Sequence, residues 1–276
     1  MRLLLVASAV LALTGCDFGT LDDLAADDAT EGTEASTGQA RAIWRAYDKP
    51  DEDVKKALSD VEAVVAGAGN IPVQVKIGDL TAEDVAPVAP GKDAPAAQGM
   101  LVITELDCTM EQVEKLVVAK NQTTIYPDLY DKYARSYTSD VQAFLSGAAP
   151  TVTWRTDYTA SALGRTYESN LTGAARRVPG AGPGGSNVLI ARTYLNEPAR
   201  FIAGEDAAFD QDYQIELYYP RNGKVLHFYG LWRQFRIATL TSEADLYVNI
   251  VLGNLIDFDV RTSKVCREND PQPTFE

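Results

Sequence analysis

Two periods of hydrophobicity succeed one another along this chain, and each change of period marks a new element. An apolar segment at residues 3–13 follows Arg2 and ends at Thr14-Gly15-Cys16. From residue 17 to about 40 neither period is present. Val54, Leu58, Val61 and Val65 then recur every three or four residues, predicting an amphipathic helix over 51–66 that Gly67 stops. Val73, Val75 and Ile77 alternate with polar residues and predict a short strand. Residues 87–97, rich in Pro, Ala and Gly, read as a linker. A strand is expected over 100–106. Thr109 and Gln112 form a capping box for a helix with Val113, Leu116 and Val117 on one face. Pro127 is placed to open a further helical turn carrying Tyr130, Tyr133 and Ala134.

Beyond residue 150 the period is two. Val152, Trp154 and Tyr158 fall on one face of a strand, with Thr153, Arg155 and Asp157 on the other. Further strands are predicted over 165–178, 188–196, 210–219 and 225–237, with a glycine-rich loop at 179–185. Asn222-Gly223 between the last two is a strong hairpin signal. The helical period returns after Ser242, a suitable cap. Tyr247, Ile250, Val251, Asn254, Leu255 and Phe258 share one face of a long closing helix. A helix this apolar needs a large surface to lie on, and the sheet is the surface available. The pattern divides the chain into a leader (1–15), an acidic flexible tether (16–40), a small N-terminal α/β appendage (41–99), a sheet-and-helix domain (100–268) and a tail (269–276). The fold class expected is α+β.

Charge sharpens the first two segments. The net charge is −14, and residues 17–53 contribute eleven acids against three bases. Acids and bases nearly balance after residue 150. Such an acidic, apolar-poor stretch cannot offset chain entropy by burial and serves as a solvated tether. No dense basic stripe exists to neutralise phosphates, so nucleic acid is not an expected partner. The charged start, short apolar segment and small residues are the order of a signal peptide. Leu13-Thr14-Gly15-Cys16 resembles the lipobox of bacterial lipoproteins. The resemblance implies lipidation of Cys16, cleavage before it, and a place on the periplasmic face of the inner or outer membrane or on the cell surface. With Cys16 so used, Cys108 and Cys266 remain, an even pair suited to one disulfide in an oxidising compartment.

The order of elements from about residue 100 to 266 resembles the START-like helix-grip superfamily, also called polyketide-cyclase and lipid-transport-like. The openings Thr109-Met110-Glu111-Gln112-Val113 and Tyr126-Pro127-Asp128-Leu129-Tyr130 are similar to that family's first helices. The resemblance implies a curved antiparallel sheet wrapped around the closing helix, with an apolar cavity between them. Candidate lining residues are Trp154, Tyr158, Tyr194, Tyr213, Tyr229, Arg233, Tyr247 and Val251. It implies a hydrophobic or amphipathic ligand, such as a lipid or other apolar small molecule.

Candidate chemistry is sparse. His227 is the only histidine, which excludes a histidine-rich metal site. It is the candidate general base, set against a histidine hydrogen-bonded within a sheet. Asp212 and Glu216 share one face of a strand with Gln214 between them. They form either an acid–base pair or, as the better reading, the polar outer face of a half-buried strand whose core face is Tyr213, Ile215, Leu217 and Tyr219. Arg155, Arg192, Arg233 and Arg236 fall inside strands and are best read as partners of nearby acids. No nucleophile elbow, phosphate-binding loop or zinc-protease motif is present, and no cofactor is expected. These observations favour a membrane-held binder. A scaffold lipoprotein docking a protein partner is second, and a cyclase- or hydrolase-like enzyme using His227 with Asp212 or Glu216 is third.

Overall fold

The computed structural model describes residues 30–68, 71–162, 165–202, 207–237, 240–241 and 245–276. The leader, Cys16, the first half of the tether and the expected Ser242 cap lie outside the described residues. The strands are β1 (Thr30–Glu31), β2 (Val73–Ile77), β3 (Gln98–Leu106), β4 (Lys132–Tyr137), β5 (Thr151–Ala162), β6 (Arg165–Val178), β7 (Val188–Leu195), β8 (Ala199–Phe201), β9 (Ala207–Arg221), β10 (Lys224–Ile237) and β11 (Leu240–Thr241). The helices are α1 (Glu34–Ala46), α2 (Asp51–Leu58), α3 (Val61–Ala68), α4 (Ala82–Val85), α5 (Met110–Val118), α6 (Gln122–Ile125), α7 (Val141–Leu145) and α8 (Asp245–Glu268). One sheet runs β1-β2-β3-β10-β9-β7-β6-β5-β4, with β8 bridging β6 and β9 and β11 on β10. Its pairings are antiparallel except β1 with β2. The sheet grips α8, so the α+β helix-grip class stands.

Three local expectations give way. The tether does not run to residue 40. Thr33 caps α1 by accepting from the Ser36 N–H at 3.1 Å, and Ala40, Ile43 and Trp44 bury one face of it. The helix expected over 51–66 is two, α2 and α3, parted at Ser59-Asp60. There the Ser59 hydroxyl bonds back to the Lys56 carbonyl at 2.9 Å and competes with the helical backbone. The segment after Pro127 is not helical around Tyr133 and Ala134. It forms the edge strand β4, pairing Tyr133 with Tyr158, Arg135 with Thr156 and Tyr137 with Trp154. Six residues are too few for hydrophobic spacing alone to separate the two periods.

Both faces of the sheet are covered from β2 to β7, whereas the outer face of β5 is open, with Arg155 and Asp157 exposed. On the outer face, residues of β9 and β10 meet the N-terminal layer, and Trp44 stands edge-on to Tyr213 and Trp232 with centroids 5.8 and 6.0 Å apart. The Trp44 indole also donates to the Asp84 carbonyl at 2.7 Å. β2 pairs with β3, so the region before residue 100 continues the sheet as well as covering it. The inner face meets α8 near β2 and β3, and α5 to α7 close the other end. There Cys108 and Cys266 are joined, with Cα atoms 5.1 Å apart, tying the start of α5 to the end of α8. The tail is held too: the Lys120 N–H donates to the Thr274 carbonyl at 2.7 Å, and Thr274 N–H donates to the Asn121 side chain at 2.8 Å. No helix among the described residues is long and apolar enough to cross a membrane.

Candidate functional site

A cavity of about 620 Å³ lies between the inner sheet face and α8. Its volume is within the range of small-molecule sites. Aromatic rings make much of its wall: Trp154 and Tyr158 from β5, Tyr229 and Phe235 from β10, and Tyr126 and Tyr130 from the α6–β4 segment. Leu129, Ser161 and Asn254 are the exposed lining residues and place its opening between α8 and the ends of β4 and β5. Gly173 on β6 lets the Trp154 indole lie against the sheet, because any Cβ there would collide with the ring.

The sequence candidates separate by strand parity. Trp154, Tyr158, Tyr229, Arg233, Tyr247 and Val251 line the cavity. Tyr194 and Tyr213 do not; they point to the outer face and pack in the layer around α1. The same parity overturns the outer-face reading of the carboxylates. Tyr213, Ile215, Leu217 and Tyr219 are buried under the N-terminal layer, so the alternate set, Asp212, Gln214, Glu216 and Tyr218, turns inward. A half-buried sheet has one polar face. β9 is buried on both faces, and its polar residues are enclosed on the side of the ligand space.

Two linked polar groups form the floor. In one, the Arg233 guanidinium pairs with Asp212 across β9 and β10, where the two residues are in register. Gln214 donates to Asp212 at 2.7 Å and accepts from Tyr229 at 2.9 Å and from Thr193 at 2.8 Å. Arg192 likewise pairs with Asp48 at 2.7 Å, on the outer side. In the other group, His227 is fully buried, stacked on Tyr218 with ring centroids 4.4 Å apart. Its Nδ1 is 2.8 Å from Asp259 of α8, and Asp259 also accepts from Thr104 at 2.6 Å. Its Nε2 is 3.3 Å from Glu216, an ion-pair distance off hydrogen-bond alignment. Tyr218 donates its hydroxyl proton to Glu216.

Burial alone would strip the proton from His227, but the Asp259 and Glu216 carboxylates outweigh it and push the imidazole up to about 9. Burial raises the phenols of Tyr218 and Tyr229 well above their ordinary value, and neighbouring carboxylates add to this. Both remain hydrogen-bond donors at neutral pH. His227 does not line the cavity, and at neutral pH it already carries its proton. It therefore lacks both the access and the free lone pair of a general base. Its part is electrostatic: it binds α8, through Asp259, to the sheet.

Asp259 escaped the reading of the sequence. Tyr247, Val251 and Leu255 step along the apolar stripe of α8 four residues apart, and the next step is a carboxylate. A lone acid on an otherwise apolar helical stripe is the signal that points to it. Among the described residues, no cluster of His, Cys, Asp and Glu is arranged to hold a metal ion.

No family model matches the chain, and no curated protein matches it. Solved structures do. The STAR-related lipid transfer protein from Xanthomonas axonopodis is 10% identical, with 63% of this chain and 86% of that one covered and a TM-score of 0.36. The human StarD13 lipid transfer and protein localization domain is 10% identical, with coverages of 64% and 79% and a TM-score of 0.38. The major latex-like protein 151 from Panax ginseng is 8% identical, with coverages of 60% and 98% and a TM-score of 0.35. The assignment of fold class rests on the sheet order and on α8 themselves.

Proposed function

We propose that this protein is an envelope lipoprotein that holds a hydrophobic or amphipathic ligand in the cavity beneath α8. The observation that carries the reading is the cavity itself, about 620 Å³ and walled largely by aromatic and aliphatic side chains. A chamber of that size and lining favours an apolar molecule over the twenty or so waters that would otherwise fill it. Lipid on Cys16 would hold the binder at a bacterial membrane, on an acidic stretch that ends at α1. The scaffold alternative pictures the cavity filled by side chains, and the open chamber speaks against that, although the outer face of β4 and β5 stays available to a partner. The enzyme alternative loses its base, because His227 is sealed behind Glu216 and Tyr218.

Gentle purification followed by mass spectrometry should recover an apolar ligand or show uptake of one added in solution. Leu231, fully buried on the cavity wall, gives the control: Leu231→Trp narrows the space and should weaken uptake most for the longest ligands while the fold persists. Uptake indifferent to that variant at every ligand length would place the ligand elsewhere. Cys16→Ser should move the protein from the membrane fraction to the soluble fraction; an unchanged distribution would remove the anchor.

A further inference from the structure

We infer that the cavity selects an amphipathic cation, an apolar molecule headed by an ammonium group, with Glu216 as its counter-charge. The inference rests on the ligand-binding reading above and names the class of ligand. The floor holds three carboxylates, Asp212, Glu216 and Asp259, against two cations, Arg233 and His227. Arg233 is committed to Asp212, and His227 makes its close contact with Asp259. One negative charge is left over, and it sits on Glu216, the member of the His227 group that lines the cavity.

The two oxygens of Glu216 differ. Oε2 takes the Tyr218 hydroxyl and lies near His227 Nε2. Among the described residues, both contacts of Glu216 fall on Oε2 and none on Oε1. A carboxylate oxygen inside an apolar chamber is costly without a donor, and a ligand ammonium supplies both a donor and the missing charge. The walls agree with this choice. The rings of Tyr126, Tyr130, Tyr229 and Trp154 surround the space, and the negative faces of aromatic rings favour a cation over an anion. Among the described lining residues, the other cation is Arg135, on the edge strand β4. Its guanidinium lies 4.4 Å from the Trp154 ring centroid and donates to the Val117 carbonyl and the Tyr133 hydroxyl, neutral partners that leave its Nε without a hydrogen bond and its charge offset by the ring face and not by a carboxylate among the described residues. An anionic head seated at Arg135 is the rival outcome.

Three probes with one chain and different heads separate these cases: dodecylamine, dodecanol and dodecanoic acid, titrated into the full chain near neutral pH by calorimetry. The amine should bind about tenfold tighter than the alcohol, and the acid weakest. Glu216→Gln should remove the amine's advantage and leave the alcohol unchanged. Equal affinities for amine and alcohol, an acid that binds best, or an amine indifferent to Glu216→Gln would each overturn the inference while leaving the cavity as a binding site. Failure of all three probes would instead overturn the ligand-binding reading, and this inference with it. If Glu216→Gln does not fold, the order of the three heads in the unaltered chain decides the question.

Discussion

His227 should make this protein less stable as the solution turns mildly alkaline. The imidazole is raised from its ordinary 6.5 to about 9 by Asp259 and Glu216 against the opposing effect of burial. The unfolded chain holds that proton only below about pH 6.5, while the folded one holds it up to about 9. Between those values the folded state binds more protons, so stability falls as pH rises. The contribution is complete below pH 6.5 and gone above pH 9. At about 1.4 kcal/mol for each tenfold difference in proton affinity, the whole window is worth about 3 kcal/mol. The slope cannot exceed one proton, which is about 1.4 kcal/mol per pH unit. Urea unfolding from pH 6 to 9 measures most of the loss before the tyrosines of the unfolded chain, which titrate at about pH 10, add their own. His227 is the only histidine in the chain, so its proton resonance in an NMR titration reports the pKa without assignment work. Asp259→Asn should lower that pKa and flatten the stability profile. A native pKa at or below 6.5 would refute the account, because burial would then have beaten both carboxylates.

Further outcomes follow from the packing. Trp44→Ala removes an almost fully buried indole and its bond to the Asp84 carbonyl, and should cost about 3–5 kcal/mol in urea unfolding; a loss below about 1 kcal/mol would mean that the N-terminal layer is not part of the cooperative fold. Gly173→Ala drives a methyl into the Trp154 indole and should cost about 1–3 kcal/mol while shifting tryptophan emission; unchanged emission and stability would contradict the close approach. Reducing the Cys108–Cys266 bridge, which spans 158 positions, should lower stability by about 2–5 kcal/mol. The test is urea unfolding with and without reductant, and coincident curves would show the bridge to be thermodynamically idle.

The elements were largely legible along the chain, because the strands of the second half and the closing helix are long enough for their periods to declare themselves. Asn222 at φ 51° and Gly223 at φ 78° form the hairpin that their dipeptide signals. The Thr109–Gln112 capping box forms as written. Short pieces were not legible: β4 and the division between α2 and α3 depend on a neighbouring strand and on one serine hydroxyl.

The site was half legible. Alternation fixes which residues of a strand travel together: Asp212, Gln214, Glu216 and Tyr218 in one set, Tyr213, Ile215, Leu217 and Tyr219 in the other. It does not say which set faces solvent when a second layer covers the far side. That was settled by α1, whose Trp44 claims the apolar set and sends the carboxylates inward. The pairing of His227 with Asp259 needed α8 to come back across β3 and β10, a contact between residues 32 positions apart. Local sequence carries periodicity, capping and turn chemistry because those act over a few residues. The charge of His227 and the enclosure of Glu216 are properties of surfaces brought together by folding, and only the tertiary structure decided them.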